Sequence, residues 1–381
     1  MQRSGGRLRA LLGLGFAAAL AVRLVFVAHF RENYDMRSLR IAAEVVLRGG
    51  VVYGETARYN YAPLWAYVLA GIELVSRAAG LTFSACVLAL FLVADLTTAW
   101  LVYGLACELG RPPSIAAGAA LLFFANPVSV FASGFFAQFD QLAILFLLLA
   151  IRFAVCPRAR PLAAAGALSL SLLVKHVTWF HPLLFAARRE ARWRGGPVSL
   201  LAYAAFGLSF LPFWPARRAI VAQVFQYRGM GEPYGTEFLR FLPGFPIWGT
   251  TVIFGVVSLA AVALLRRVEP ARGSLMLFLT TLLVLPGVSP YYFVWPIALG
   301  SLFSGPGYLV YTIVVTGFFI HSPDGLGVEL AHLPGWAAVW WSGAFWLLWE
   351  IRRRHRQDRD RPKPPSASRS GRPASRLRFR S

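Results

Sequence analysis

Residues 33–65 read NYDMRSLRIAAEVVLRGGVVYGETARYNYAPLW and lie between one long apolar segment and the next. Within this stretch, SLRIAAEVVLRGG places Leu39, Ala42, Ala43, Val46 and Leu47 at helical spacing, and Gly49 and Gly50 end the run. Arg37, Arg40, Glu44 and Arg48 take the polar positions, a pattern that suits a helix lying in a membrane interface. Glu32 and Asp35 stand just ahead of it. Tyr59, Asn60, Tyr61, Ala62 and Pro63 close the stretch as an aromatic girdle leading into the next span. Residues 31–60 thus read as a first outer loop that carries a carboxylate at the membrane edge.

The composition around this loop is that of a membrane protein. Of 381 residues, 57% are hydrophobic and only 14% charged, whereas a soluble domain carries about 25% charged residues. The 30 Phe, 13 Tyr and 12 Trp exceed what a soluble core needs and fit interfacial belts and apolar grooves. At about 20 apolar residues per crossing, spans are expected over roughly 8–29, 61–79, 82–107, 113–131, 135–155, 161–187, 197–214, 248–265, 274–303, 306–320 and 335–350. The predicted fold is an all-α polytopic transmembrane bundle of about 11–13 helices, with an interfacial helix in the first outer loop. Residues 1–351 form its membrane domain. Residues 215–247 form a long outer loop, too polar to span and broken by Gly229, Gly231, Pro233 and Gly235. Residues 321–334 form a shorter one.

Charge gives the orientation and leaves a conflict. The net charge is +21, and residues 352–381 alone carry twelve Arg and Lys against Asp358 and Asp360. This tail reads as a solvated, disordered cytoplasmic segment, with anionic lipid head groups as the other reading. Nucleic acid is not expected, because the tail has a single aromatic residue, Phe379. The N-terminal apolar run is too long for a signal peptide and is interrupted by Arg23, so it reads as an uncleaved first span with a cytoplasmic N-terminus. Arg152, Arg158 and Arg160, then Arg188, Arg189, Arg192 and Arg194, then Arg266, Arg267 and Arg272 mark three connectors that the positive-inside rule places in the cytoplasm. Simple alternation puts the first of them outside. Breaks at Lys175-His176 and at Pro286–Pro290, each splitting one segment into two short helices, would repair the count.

Several residues suit chemistry. Asp35, followed by Arg37 and Arg40, reads either as a general base toward a hydroxyl or as an interfacial Asp paired with Arg. Gln138 and Asp140 open a strongly apolar segment, as site residues or as a helix start. Lys175 and His176 lie between apolar runs; the Lys suits a phosphate, and snorkelling is the bland reading. Asp95 reads as a structural partner for a cation elsewhere, and His29 and Arg31 as site or head-group residues. Arg228, Glu232, Tyr234, Glu237 and Arg240 in the long outer loop are candidate substrate contacts. Tyr291 and Tyr292 suit stacking on a sugar or an interface. Cys86, Cys107 and Cys156 have neither CxxC spacing nor an even count, so no disulfide framework or zinc site is implied. There is no Walker A, GxGxxG or HExxH motif, and the one DxD, Asp358-Arg359-Asp360, lies in the basic tail. No metal and no cofactor are expected.

Taken in order, Tyr34-Asp35, the Gly-terminated amphipathic helix, Tyr59-Asn60-Tyr61-Ala62-Pro63-Leu64, Ala94-Asp95-Leu96, Asn126-Pro127, Ala137-Gln138-Phe139-Asp140 and the run from Lys175 to Pro182 form a recognisable series. This series resembles the GT-C superfamily of membrane glycosyltransferases, which use polyprenyl- or dolichyl-phosphate sugars. It is most similar to the bacterial polyprenyl-phosphate mannosyltransferase-like proteins and covers roughly residues 1–300. Ala62 stands where that family often has Pro, and Ala137 where Gly is usual. The resemblance implies that Asp35 is the catalytic base of an inverting transfer. It implies that Lys175, His176, Arg37 and Arg40 meet the donor phosphate, and that Tyr34, Tyr61, Gln138, Asp140, Arg228 and Tyr291 contact substrate. The implied partners are a polyprenyl-phosphate sugar, a lipid or glycan acceptor and membrane lipids. The implied place is the plasma membrane, with the site facing outside or the periplasm. Mannose follows from the resemblance alone, and glucose and arabinose stay open. The Arg-, Ala- and Leu-rich composition suggests a GC-rich bacterium, hence a polyprenyl rather than a dolichyl carrier. A transporter or flippase of a lipid-linked sugar is the alternative; paired inverted repeats would favour it, and the sequence has none evident.

Overall fold

The computed structural model describes residues 2–30, 32–155, 160–188, 195–227, 234–321 and 332–359, and among these there is no strand. The longer helices are α1 (Gln2–His29), α2 (Tyr34–Leu47), α3 (Pro63–Ala79), α4 (Phe83–Glu108), α5 (Pro113–Phe124), α6 (Asp140–Val155) and α7 (Pro161–Val174). They continue with α8 (His181–Ala186), α9 (Gly195–Ser209), α10 (Ile247–Leu265), α11 (Pro270–Val284), α12 (Ile297–Leu302), α13 (Pro306–His321) and α14 (His332–Arg359). Proline opens α3, α5, α7, α11 and α13. Its missing N–H costs nothing in a first turn, whereas it would break a helix interior.

Those prolines cut the apolar runs that hydropathy alone joins. Three helices are long and apolar enough to cross a membrane unbroken: Gly6–His29, Phe83–Glu108 and Trp248–Leu265. Two more candidates are bent pairs, Pro113–Phe124 with Pro127–Phe135 at 47° and Gly195–Ser209 with Leu211–Phe225 at 56°. Helices α7, α11 and α13 are shorter and apolar. Several apolar helices therefore fit a multi-pass membrane protein, and many of its apolar segments are bent or broken rather than continuous.

The chain path removes the conflict with the arginines. Expected span 61–79 is α3, which packs along α2. Arg40 of α2 pairs with Glu32 at 3.1 Å, just after α1, and its guanidinium lies 5.5 Å from the ring of Phe83, the first residue of α4. Helix α4 thus begins at the end of the bundle where α1 finishes, and α3 does not count as a crossing between them. Glu108 at the end of α4 pairs with Arg152 near the end of α6 at 2.9 Å, so both finish at the opposite end.

Both expected breaks occur, and each is a reversal. Helix α7 stops at Lys175, whose backbone is extended. The Thr178 hydroxyl then lies 2.8 Å from that of Ser171, so the chain has turned back. Helix α9 runs antiparallel to the returning leg, with Tyr203 donating to the Trp179 carbonyl at 2.5 Å and Ser199 to that of Pro182. After α11 the chain turns through residues 285–289 and comes back in α12, until the Phe303 ring lies 4.8 Å from the guanidinium of Arg272 in the first turn of α11. With α3 removed and two segments doubled, an even number of legs results. Arg152, Arg188 (donating to the Val268 carbonyl) and Arg272 (donating to Gln357 at 2.6 Å) share one end of the bundle with the close of α14.

Two sequence boundaries shift. Helix α2 starts at Tyr34 rather than near Ser38, because the Asn33 side chain accepts from the Met36 N–H at 2.8 Å and caps it. Its apolar face, including Met36, Leu39, Ala42 and Ala43, is buried. Helix α14 continues to Arg359, so residues 352–359 belong to it rather than to a tail beginning at 352. Residues 360–381 lie outside the described residues. Gly300 and Gly307 admit Trp346: a Cβ on either would come within 2.3 and 2.6 Å of its side chain.

Asp95 has the structural partner its sequence context suggests. Arg23 of α1 pairs with it, both side chains buried, and also donates to the Ser133 hydroxyl at 2.8 Å and the Ser129 hydroxyl at 2.9 Å. Its remaining N–H groups reach the Phe124 carbonyl at 2.9 and 3.2 Å, where Pro127 has interrupted the helix. The pair therefore holds α1, α4 and the 47° bend together. Removing one partner of a buried pair strands the other, at a cost of about 3–5 kcal/mol. Asp95→Leu is expected to lower thermal stability in detergent by that order, and Arg23→Leu/Asp95→Leu to recover part of it. Equal stability of Asp95→Leu and wild type would show that the pair does not hold the bend.

Candidate functional site

Asp35 lies in the first turn of α2, at the end of the bundle opposite the arginine-bearing connectors. Its carboxylate accepts from Gln138 Nε2 at 2.5 Å. The same contact is braced from α2, because Asn33 Nδ2 donates to the Phe136 carbonyl at 3.0 Å. The intervening residue, Ala137, is fully buried with φ of 54°, the left-handed region that a side chain disfavours. The Gln138 N–H bonds back to the Ala132 carbonyl at 2.9 Å, which locks the strained turn. Backbone strain of this kind is held where the surroundings over-determine it, often at functional sites.

Asp35 and Gln138 line a solvent-open cavity of about 100 Å³. Tyr34, Tyr61, Tyr227 and Tyr291 form much of its wall, with the Asn60 amide and the Arg58 guanidinium. Arg58 is the one cation lining it among the described residues, and it stacks 4.3 Å from the Tyr34 ring. The segment bearing Arg58 and Tyr61 is tied by Arg48, which donates to Glu55 at 2.6 Å, and by Tyr53, which donates to the Tyr61 carbonyl at 2.6 Å. The Arg48 hydrogen bond holds the Glu55 carboxyl below its ordinary range. Burial, and then the charge of Asp35, raise the Tyr227 phenol.

Beneath the cavity lies a second polar assembly. Asp140, the first residue of α6, accepts from Lys175 Nζ at 2.5 Å and from the Trp295 indole at 2.7 Å. Lys175 is only 2% exposed. Four rings surround its ammonium: Phe139 at 4.8 Å, Tyr291 at 5.1 Å, Tyr61 at 5.3 Å and Tyr292 at 5.4 Å. Tyr61, Phe139 and Tyr291 are at once cage and cavity wall, so the floor is aromatic with a paired cation behind it.

The placement of the sequence candidates is therefore divided. Asp35, Tyr34, Tyr61, Gln138 and Tyr291 come together, whereas Asp140 sits below them. None of the four residues expected at a donor phosphate lines the cavity. Lys175 is taken by Asp140, and Arg40 by Glu32 and the Phe83 ring. Arg37 is exposed on α2, and His176 lies 6.3 Å from the Phe206 ring. In the long outer loop, Tyr234 is buried against Phe293 and Trp336, and Glu237 pairs with Arg240 at 2.8 Å. Tyr292 stacks on Trp295, and the His29 ring contacts the Val25 carbonyl. Arg31, Arg228 and Glu232 lie outside the described residues. Sequence reading passed over Arg58 and Tyr227. The signal for Arg58 was its place among aromatics and an amide in ARYNY, beside the girdle. Among the described residues no group of His, Cys, Asp and Glu is arranged to hold a metal ion.

No protein-family profile matches this chain, and searches of curated proteins and of solved structures return no relative.

The strained turn makes its own prediction. A left-handed Ala costs roughly 1–2 kcal/mol, part of which Gly returns through its greater freedom in the unfolded chain. Ala137→Gly is expected to raise the melting temperature by an amount equivalent to roughly 0.5–1 kcal/mol. A melting temperature at or below that of wild type would mean that the turn is not strained.

Proposed function

We propose that the protein is an inverting glycosyltransferase that moves a hexose from a polyprenyl-phosphate carrier to an acceptor hydroxyl. What carries the reading is one juxtaposition: a carboxylate, Asp35, held by an amide, faces the same cavity as a guanidinium, Arg58, and four tyrosines. Aromatic faces and amides suit a sugar ring, a guanidinium suits a phosphate oxygen, and a carboxylate suits a hydroxyl proton. The resemblance of the motif series to membrane glycosyltransferases supports the same reading. So does the position of the cavity at the end away from the arginine connectors, which the positive-inside rule makes the outer end.

In the proposed reaction, an Asp35 oxygen takes the proton of the acceptor hydroxyl as that oxygen attacks the anomeric carbon. The bond from that carbon to the phosphate oxygen breaks on the opposite face. The electron pair leaves with the lipid phosphate, and the configuration inverts. Arg58 takes the phosphate role expected of Lys175, His176, Arg37 and Arg40, because it lines the cavity and they do not. Lys175, neutralised by Asp140, holds the floor. Mannose remains the first donor to try.

Transport of a lipid-linked sugar is the second reading. The two reversing hairpins that meet beneath the cavity favour it, since broken helices recur at transport sites. Protein in lipid, given radiolabelled polyprenyl-phosphate mannose and an envelope acceptor extract, separates the two. Wild type is expected to transfer label, Asp35→Asn to lose about 10²–10⁴-fold in rate, and Arg58→Gln to lose rate with the donor phosphate contact. Full activity in Asp35→Asn would remove the proposed base. Absence of transfer with mannose, glucose and arabinose donors, together with movement of the lipid across the bilayer, would establish transport.

A further inference from the structure

A larger cavity lies at the other end of the bundle. About 410 Å³ in volume, it is enclosed by residues 304–306 at the start of α13 and by Trp349, Arg352, Arg353 and Arg356 of α14. Spacings of three and four residues put these four side chains on one face of the helix. Arg353 is anchored by donating to the Phe303 carbonyl at 2.9 Å. The Trp349 indole N–H is buried without an acceptor in the protein. Gln357 closes the far side, its amide oxygen held by Arg272. Among the described residues no carboxylate lines the cavity, and Glu350 is buried facing Arg272 at 3.6 Å. A second hollow of about 380 Å³, lined by Arg352, His355, Arg356 and Arg359, continues it along α14.

Three guanidiniums gather round one hollow, and the buried Glu350, which Arg272 and Arg353 share, does not balance them; the excess positive charge asks for an anion with several oxygen acceptors, which is a phosphate. The surroundings choose between a free phosphate and one carried by a lipid. Above the cavity, Leu309 and Ile313 of α13 and Phe345 and Leu348 of α14 are exposed apolar side chains. They continue the cavity's walls along the outside of the same two helices. A soluble anion has no use for that surface, whereas acyl chains do.

We propose that this cavity binds the phosphate head group of a net-negative membrane lipid, with its acyl chains along the exposed faces of α13 and α14. The site is separate from the Asp35 cavity, and the inference does not depend on the glycosyltransferase reading. It needs only that the helices sit in a bilayer. A lipid seated here joins α13 to α14, which Trp346 already interlocks through Gly300 and Gly307.

Full-length protein in mild detergent is incubated with phosphatidylglycerol, phosphatidylcholine or inorganic phosphate, and followed by native mass spectrometry and thermal melting. Phosphatidylglycerol is expected to stay bound and raise the melting temperature, phosphatidylcholine to do so weakly and inorganic phosphate not at all. Each arginine near an anionic surface contributes about fivefold in affinity. Arg352→Gln/Arg356→Gln should therefore lose roughly 25-fold in retention of phosphatidylglycerol. Arg266→Gln/Arg267→Gln removes two exposed arginines elsewhere on the chain and should retain it as wild type does. Equal losses in the two double variants would reduce the effect to general charge and overturn the site. Equal retention of the two lipids would overturn the requirement for net charge. A melting shift from inorganic phosphate matching that from phosphatidylglycerol would overturn the lipid assignment in favour of a soluble anion.

Discussion

The bundle turns on one buried carboxylate. Asp140 begins α6, and its two oxygens accept from Lys175, where the chain first reverses, and from Trp295, just after the second reversal. Three separate interruptions of helix are thereby tied to one point. A reversal inside an apolar bundle exposes backbone groups that no water reaches, so it persists only where protein supplies the partners. The pair also sets the cavity above it. Three of the four rings packed round the Lys175 ammonium, Tyr61, Phe139 and Tyr291, also wall the Asp35 cavity, so the cation that holds the fold also stiffens the floor.

A second buried pair does the same work at the other bend. Arg23 spends its donors on Asp95, on two serines and on the carbonyl that the proline break leaves without its helical partner. The two pairs differ in how visible they are. Arg23 and Asp95 are each anomalous in an apolar run, and an intramembrane charge calls for a partner somewhere. Lys175 is equally anomalous, but its sequence context points as readily to a ligand as to a protein carboxylate. Only its 2.5 Å contact with Asp140 assigns it.

The two ends of the bundle then differ in chemistry. Among the described residues, one gathers a single carboxylate, one guanidinium and phenols round a small open cavity. The other gathers arginines from three connectors and from the last turns of α14. That separation follows from the path of the chain, in which α3 lies beside α2 and two apolar segments fold back on themselves.

Much of this was legible in the residues. Composition alone points to a chain of apolar helices, and the described residues form helices without strands that fit a multi-pass membrane protein. Gly49 and Gly50 end α2, and Lys175 and Pro286–Pro290 mark the breaks. Of the candidates named from the sequence, Asp35, Tyr34, Tyr61, Gln138 and Tyr291 line one cavity, whereas Asp140 and Lys175 do not. The tertiary structure alone decided which cations face the cavity, and it chose Arg58 over Lys175, Arg37 and Arg40. It alone decided that α3 is no crossing. Periodicity and hydropathy record what each residue prefers as a neighbour. They do not record which of several acceptable neighbours it receives, and for a buried charge that choice depends on distances between segments far apart in the chain.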